Sequence, residues 1–262
     1  METTINVPGR RPSPVNSRSL LPKEHGAWVE LGLPLLTALV AARPTPAGLA
    51  FACSACAAFF AHEPWLVLRG LRGSRAQREN GERARRMFFG LLALMGVSGG
   101  VALALTGKLG LELAVLPAVL SIGVAVLVHR GEERTLFGES VAGAALSSFA
   151  LPVAVADGVD VPRALAMVGA WTAIFAVGTA VVRGLVAKVG RRNALPPLAV
   201  FLGAAVLYLS GTIALAPFAA IVPACVATFV VALAAPPPQK LKRVGYTMAA
   251  AHLVSAALLV AL

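Results

Sequence analysis

The chain predicts an all-α, polytopic transmembrane bundle of about nine spans, with its N-terminus in the cytoplasm. Three observations carry that reading. First, 58% of its 262 residues are apolar and only 13% are charged, against about 45–50% and about 25% in an ordinary soluble domain; a mean hydropathy of +0.79 agrees. Second, the apolar stretches approach the roughly 20 residues that a helical span needs, and exceed the alternating segments of about ten residues in an outer-membrane barrel. Third, the charges fall between these stretches and gather on one side. This composition excludes a soluble enzyme, a disordered tail and a secreted disulfide scaffold. Nine spans consume roughly 180 residues, so every connection is short and no separate soluble domain fits.

The elements follow in order. Residues 1–23 carry Arg10, Arg11, Arg18 and Lys23 among several prolines. They lack the apolar region of a cleavable signal peptide and read as a flexible basic tail, with residues 24–262 forming a single bundle domain. The first span runs from Gly26 to Ala42, and the turn at Arg43-Pro44-Thr45-Pro46 leads into the second, Ala47 to Leu68. Arg69 to Arg86, the most polar stretch, holds seven arginines and two glutamates and reads as a connection. Spans three (Met87–Thr106) and four (Leu109–Val128) are parted only by Gly107-Lys108, which makes them a tight antiparallel pair. His129 to Arg134 is a charged connection to span five, Phe137–Ala156. Asp157, Asp160 and Pro162 turn the chain into span six, Ala164–Val182. The basic connection Arg183–Asn193 precedes span seven (Leu195–Ile213), which runs almost directly into span eight (Ala216–Leu233). Pro236-Pro237-Pro238 closes span eight, and Lys240, Lys242 and Arg243 lead into span nine, Val244–Leu262.

Orientation comes from the basic residues. With the N-terminus inside, the inner segments hold 20 of the 23 Lys and Arg, and the outer turns hold only Arg43, Lys108 and Arg163. Excess Lys and Arg mark cytoplasmic loops. The same rule accounts for the net charge of +11 without any nucleic-acid partner. The expected location is a multi-pass position in the inner (plasma) membrane, with the lipid bilayer as the first partner.

Small features read as packing. Cys53 and Cys56 form a CxxC within an apolar run and Cys225 stands alone; a zinc or redox CxxC sits in a polar setting with further ligands. Gly96 and Gly100 form a GxxxG that predicts close helix packing on span three. Pro34, Pro117, Pro152, Pro217 and Pro223 each remove a backbone donor and free the carbonyl four residues back, which must find a partner inside the bundle.

Ionisable residues at membrane depth cost about 2.5–3.5 kcal/mol each on insertion scales, so they mark functional positions. Glu24, His25 and Trp28 lie within one turn at the entrance to span one, and Glu30 lies a turn deeper. His62 and Glu63 sit at the inner end of span two, where Pro64 bends the helix before Arg69. Arg130 and Glu139 flank the connection after span four, and Arg183 and Lys188 follow span six. Glu24, His25, His62 and Glu63 are the candidates for acid–base or hydrogen-bonding roles. Arg69, Arg130, Glu139, Arg183 and Lys188 are the candidates for ligand binding, because guanidinium and ammonium groups hold anions. Each cluster also has a simpler account, namely structural ion pairs for the glutamates and positive-inside anchoring for the basic groups. No metal ligand set is visible. His252, alone within span nine, reads as a packed core histidine.

The heptapeptide Pro22-Lys23-Glu24-His25-Gly26-Ala27-Trp28, leading into an apolar span, resembles the opening signature of the YwiC-like family. The Glu63-Pro64 step before an Arg-rich stretch is similar to the same family. Its members are uncharacterised bacterial integral membrane proteins, so the likeness implies location more than chemistry. More distantly, the layout resembles the UbiA-type intramembrane prenyltransferases. Those have nine spans, a cytoplasmic active site, and two Asp-rich motifs, after spans two and six, that bind magnesium and an isoprenoid diphosphate. The stretch Arg134–Gly158 resembles their fourth connection and fifth span. The chain departs from them at both motifs. Near the first, only Glu63 is acidic, and no Asp or Glu follows Asp160. Magnesium wants carboxylate and phosphate oxygens, so it enters only if the chain is prenyltransferase-like, and catalysis stays open. The leading expectation is a UbiA-like bundle with a basic cytoplasmic-side pocket for an amphipathic anionic ligand, isoprenoid or lipid. The alternatives are a transporter of a small solute or lipid, and a structural subunit without ligand.

Overall fold

The computed structural model describes residues 20–22, 25–237 and 240–261. Among them all regular structure is helical: α1 (His25–Ala41), α2 (Pro46–Leu68), α3 (Ser74–Arg130), α4 (Leu136–Ser148), α5 (Ala150–Ala156), α6 (Val161–Val186), a 3₁₀ turn (Gly190–Ala194), α7 (Leu195–Leu209), α8 (Leu215–Ala234) and α9 (Leu241–Ala261). Seven helical segments are long and apolar enough to cross a membrane, with α4 and α5 together as one of them, and α1 is a shorter apolar helix. The chain is a multi-pass membrane protein.

The 57 residues of α3 would make a rod of about 85 Å at 1.5 Å per residue, far more than one bilayer. Gly107 breaks it, with φ 63° and ψ −142°. Val67 of α2 clusters with Ala84, and Ser54 donates to the carbonyl of Met95 at 3.1 Å, so the first leg of α3 runs antiparallel to α2. Continued straight, that register would carry Gly110 about 15 Å past Phe51. Instead, a Cβ at Gly110 would lie 3.4 Å from Phe51 Cζ. The chain therefore doubles back at Gly107, as the tight antiparallel pair expected there requires. Counting both legs of α3 and the shorter α1 separately, the described residues contain nine apolar helical segments, roughly the number of spans read from the sequence.

Two expectations change. The stretch Arg69–Arg86 is mostly helix rather than loop: α3 starts at Ser74 and carries the i,i+4 pairs Arg75–Glu79 and Arg86–Glu82 on its exposed side. Its small face, Ala76, Asn80 and Ala84, is buried. Pairs at this spacing favour helix, and that is why a strongly charged sequence continues the span. The packing assigned to Gly96 and Gly100 is also corrected. A Cβ at either position meets nothing within 4 Å, whereas one at Gly99 would lie 3.1 Å from Ser54 Oγ. The close approach to α2 uses Gly99, one residue round the helix from the GxxxG edge.

Pro152 acts as expected. It cannot donate to the Ser148 carbonyl, and the span breaks into α4 and α5 at Phe149. Pro34, Pro64, Pro117 and Pro223 stay inside continuous helices.

The core centres on α6. Trp171 and Ile174 are fully buried and join a cluster with Leu31, Leu35, Phe51, Phe59, Leu151 and Ile221 from four neighbouring helices. Peripheral helices turn apolar side chains outward, as Leu209, Val97 and Val206 show. Apolar faces of this kind suit lipid rather than water. At the end away from the basic connections, Asp157 accepts from the backbone N–H of Thr45 at 2.7 Å and from its hydroxyl at 2.8 Å. Thr45 Oγ1 in turn accepts from the Gly48 N–H at 3.0 Å and caps α2. Asp160 caps α6 by accepting from Arg163 N–H at 2.9 Å. The two acidic residues between α5 and α6 are thus structural.

Candidate functional site

At the basic end the helices splay around a cavity of about 1630 Å³. Its deeper walls are mostly apolar, from Val29, Phe59, Leu92, Val124, Leu146 and Phe175. Both legs of α3 contribute, because the reversal at Gly107 returns Ser121–Val128 to the level of Phe88–Met95. The rim is charged. Arg72, two residues before α3, donates from Nε to Glu63 Oε1 at 2.9 Å and from Nη2 to Oε2 at 2.6 Å. This two-pronged contact is the geometry in which Arg and carboxylate bind best. Across the mouth, Arg183 Nη1 donates to Glu139 Oε1 at 2.8 Å and to the Arg134 carbonyl at 2.6 Å. That single side chain ties the end of α6 to α4 and to the connection before it.

Of the residues singled out by sequence, His62, Glu63, Glu139 and Arg183 converge on this cavity, and Glu30 lines it as well. Glu24 lies outside the described residues, and His25 opens α1 with a side chain outside them. Arg69 and Arg130 are exposed and do not line the cavity. Lys188 takes the left-handed φ of 54° in the turn after α6 and borders a separate groove of about 450 Å³ with Gly190 and Pro236. Arg69 caps the end of α2, Arg130 is the last residue of α3 and Lys188 follows α6, so the three stand at helix ends outside the lining of this cavity.

Arg72, Arg134, Arg192 and His252 line the cavity without having been singled out. One arginine among seven in Arg69–Arg86 carries no local mark that it pairs with Glu63. His252 is buried as its sequence context implied, yet it also borders the cavity. The described lining holds four glutamates (Glu30, Glu63, Glu133, Glu139) and four arginines (Arg72, Arg134, Arg183, Arg192). The carboxylates and guanidinium groups of this described lining are equal in number. The surplus arginines project outward from the first turns of α3 instead. Arg192 lines the cavity outside the ion pairs found among the described residues.

A family model described as YwiC-like protein matches residues 21–155, just over half of the chain. The chain belongs to the YwiC-like family. No curated protein and no solved structure matches this YwiC-like chain. The match spans α1 to α5 and so takes in Glu30, His62, Glu63, Arg72 and Glu139, whereas Arg183, Arg192 and His252 lie beyond it. The likeness to UbiA-type prenyltransferases rests on the sequence layout alone. Its magnesium site does not fit the residues of this YwiC-like chain. Glu63, the acidic group at the first motif position, is held by Arg72, and the second position, Thr179–Arg192, offers Arg183, Lys188, Arg191 and Arg192 in place of carboxylates. Among the described residues no group of three or more His, Cys, Asp or Glu is placed to hold a metal ion.

Proposed function

We propose that this inner-membrane protein binds an amphipathic anionic ligand, an isoprenoid phosphate or another lipid, drawn from the cytoplasmic leaflet. The observation that carries the reading is the cavity: about 1630 Å³, apolar in its depth and charged at its rim. Drug-sized ligands occupy pockets of about 300–1,000 Å³, so this volume suits a longer chain. The apolar walls take the tail, and Arg192 offers the anionic head a guanidinium outside the rim ion pairs. Arg183, already shared between Glu139 and the Arg134 carbonyl, borders the same mouth.

The test is thermal unfolding of the purified protein in detergent with farnesyl diphosphate, with farnesol, and with each in magnesium or chelator. A ligand that binds only the folded state raises the midpoint. The expected result is a rise with the diphosphate that persists in chelator, is smaller with farnesol, and shrinks in Arg192→Ala. No rise at saturating diphosphate would remove the reading. A rise strictly dependent on magnesium would restore prenyltransferase-like chemistry. Transport of a small solute or lipid is the second reading, favoured by the break between α4 and α5, since discontinuous helices border many transport sites. Ligand flux in proteoliposomes separates the two.

A further inference from the structure

The deep wall of the cavity contains a polar group that the fold does not use. His252 on α9 is 8% exposed, and its Nε2 is buried without a hydrogen-bond partner. Its ring meets that of Phe175 edge-on at 5.4 Å, and Phe175 stacks on Trp171 at 5.3 Å. Trp171 Nε1 and, on α4, Ser147 Oγ are likewise buried without partners. Gly143, one turn before Ser147, faces Phe175, so the register of α4 against α6 brings Ser147 to the level of Trp171. Three unsatisfied polar atoms thus lie within about one helical turn of the same level. A buried polar atom destabilises the fold unless something supplies a partner, and a bilayer offers no water to do so.

Among the three residues, His252 borders the cavity. No hydrogen bond at Nε2 holds the ring in its orientation. Arg183 at the rim and Phe175 beside His252 are eight residues apart on α6, a separation of about 12 Å. A neutral imidazole both donates and accepts.

We propose that His252 is the polar recognition group of the deep cavity, and that the ligand carries an oxygen function, hydroxyl or carbonyl, about 12 Å from its anionic head. This inference rests on the anionic-amphiphile reading above and narrows its ligand class. A saturated lipid tail would leave the imidazole unpaired, whereas an oxygenated one would pair with it.

The experiment compares stearate, 10-hydroxystearate and 2-hydroxystearate by competition and thermal shift on the full chain in detergent, for the wild type and for His252→Leu and His252→Gln. One neutral hydrogen bond corresponds to about a fivefold to tenfold preference. The expected result is that 10-hydroxystearate binds the wild type about five to ten times more tightly than stearate. That preference should vanish in His252→Leu and return in part in His252→Gln, with stearate binding little changed throughout. Because the readout is a ratio between ligands, a general loss of stability in a variant does not mimic it. Stearate and both hydroxystearates binding the wild type equally, or a preference that survives in His252→Leu, overturns the proposal while the anionic-amphiphile reading stands. Failure of all three to bind overturns the proposal, and only the absence of a rise with farnesyl diphosphate in the same preparation overturns the anionic-amphiphile reading as well.

Discussion

Residue by residue, burial separates the ion pairs that matter from those that decorate. In the Glu63–Arg72 pair the side chains are 9% and 28% exposed, while in Glu139–Arg183 they are 36% and 40% exposed. Hydrogen bonds to charged groups contribute about 1.5–3 kcal/mol when shielded, and open surface pairs contribute about 0–1 kcal/mol. A double-mutant cycle on Glu63→Ala and Arg72→Ala, read by unfolding in detergent–SDS mixtures, should give a coupling of about 2 kcal/mol. The same cycle on Glu139 and Arg183 should give under about 1 kcal/mol. A larger coupling in the second pair would show that it is a structural clamp. At the far end, Asp157→Ala removes two hydrogen bonds and leaves the Thr45 N–H without its acceptor, which should cost about 1–3 kcal/mol. Gly48→Ala should also destabilise, because its Cβ would collide with the Asp157 carboxylate. Stability unchanged in both variants would contradict the proposed anchoring of α2 by Asp157.

Two breaks, different in kind, shape the elements. Pro152 interrupts the α4–α5 span through the chemistry of its missing N–H, whereas Pro34, Pro64, Pro117 and Pro223 stay inside continuous helices. Gly107 interrupts α3 by conformation: φ 63° with ψ −142° lies where a side chain is strained, at a cost on the order of 1–3 kcal/mol for a non-glycine residue. Gly107→Ala should therefore destabilise the hairpin, seen as a lower unfolding midpoint and faster proteolysis next to Lys108. Gly96→Ala, whose Cβ would meet nothing within 4 Å, should be close to neutral. The reverse ranking would mean that α3 packs through its GxxxG edge after all. The helical start of α3 has its own logic: Arg75–Glu79 and Arg86–Glu82 stabilise the exposed side while Ala76 and Ala84 let the chain lie close to the bundle.

Across the whole molecule, the basic residues predict an N-terminus-inside topology, and the topology decides which leaflet the cavity faces. In a cysteine-free background, Lys108→Cys should react with a membrane-impermeant maleimide from outside intact cells. Arg130→Cys and Lys188→Cys should react only after permeabilisation. The opposite pattern would place the cavity mouth at the outer leaflet and end the reading of a cytoplasmic-leaflet ligand. Substituting Cys53, Cys56 and Cys225 for this purpose should cost little, since all three are free thiols, Cys53 exposed, Cys56 half-buried and Cys225 buried.

The apolar helices and the turn at Gly107-Lys108 were legible in the sequence. They depend on local quantities: a run of apolar residues, and a glycine between two apolar runs. The convergence of His62, Glu63, Glu139 and Arg183 on one cavity was legible only as a set of candidates, because nothing local to α2, α4 or α6 states that they are neighbours. The choice of Arg72 over Arg69, the balanced charge of the lining and the place of His252 in its wall were decided by tertiary structure alone. The bilayer rewards apolarity on every lipid-facing side, so too few polar residues remain on each helix to set its rotation. Only packing against the other helices determines which side chains turn inward and which of them meet.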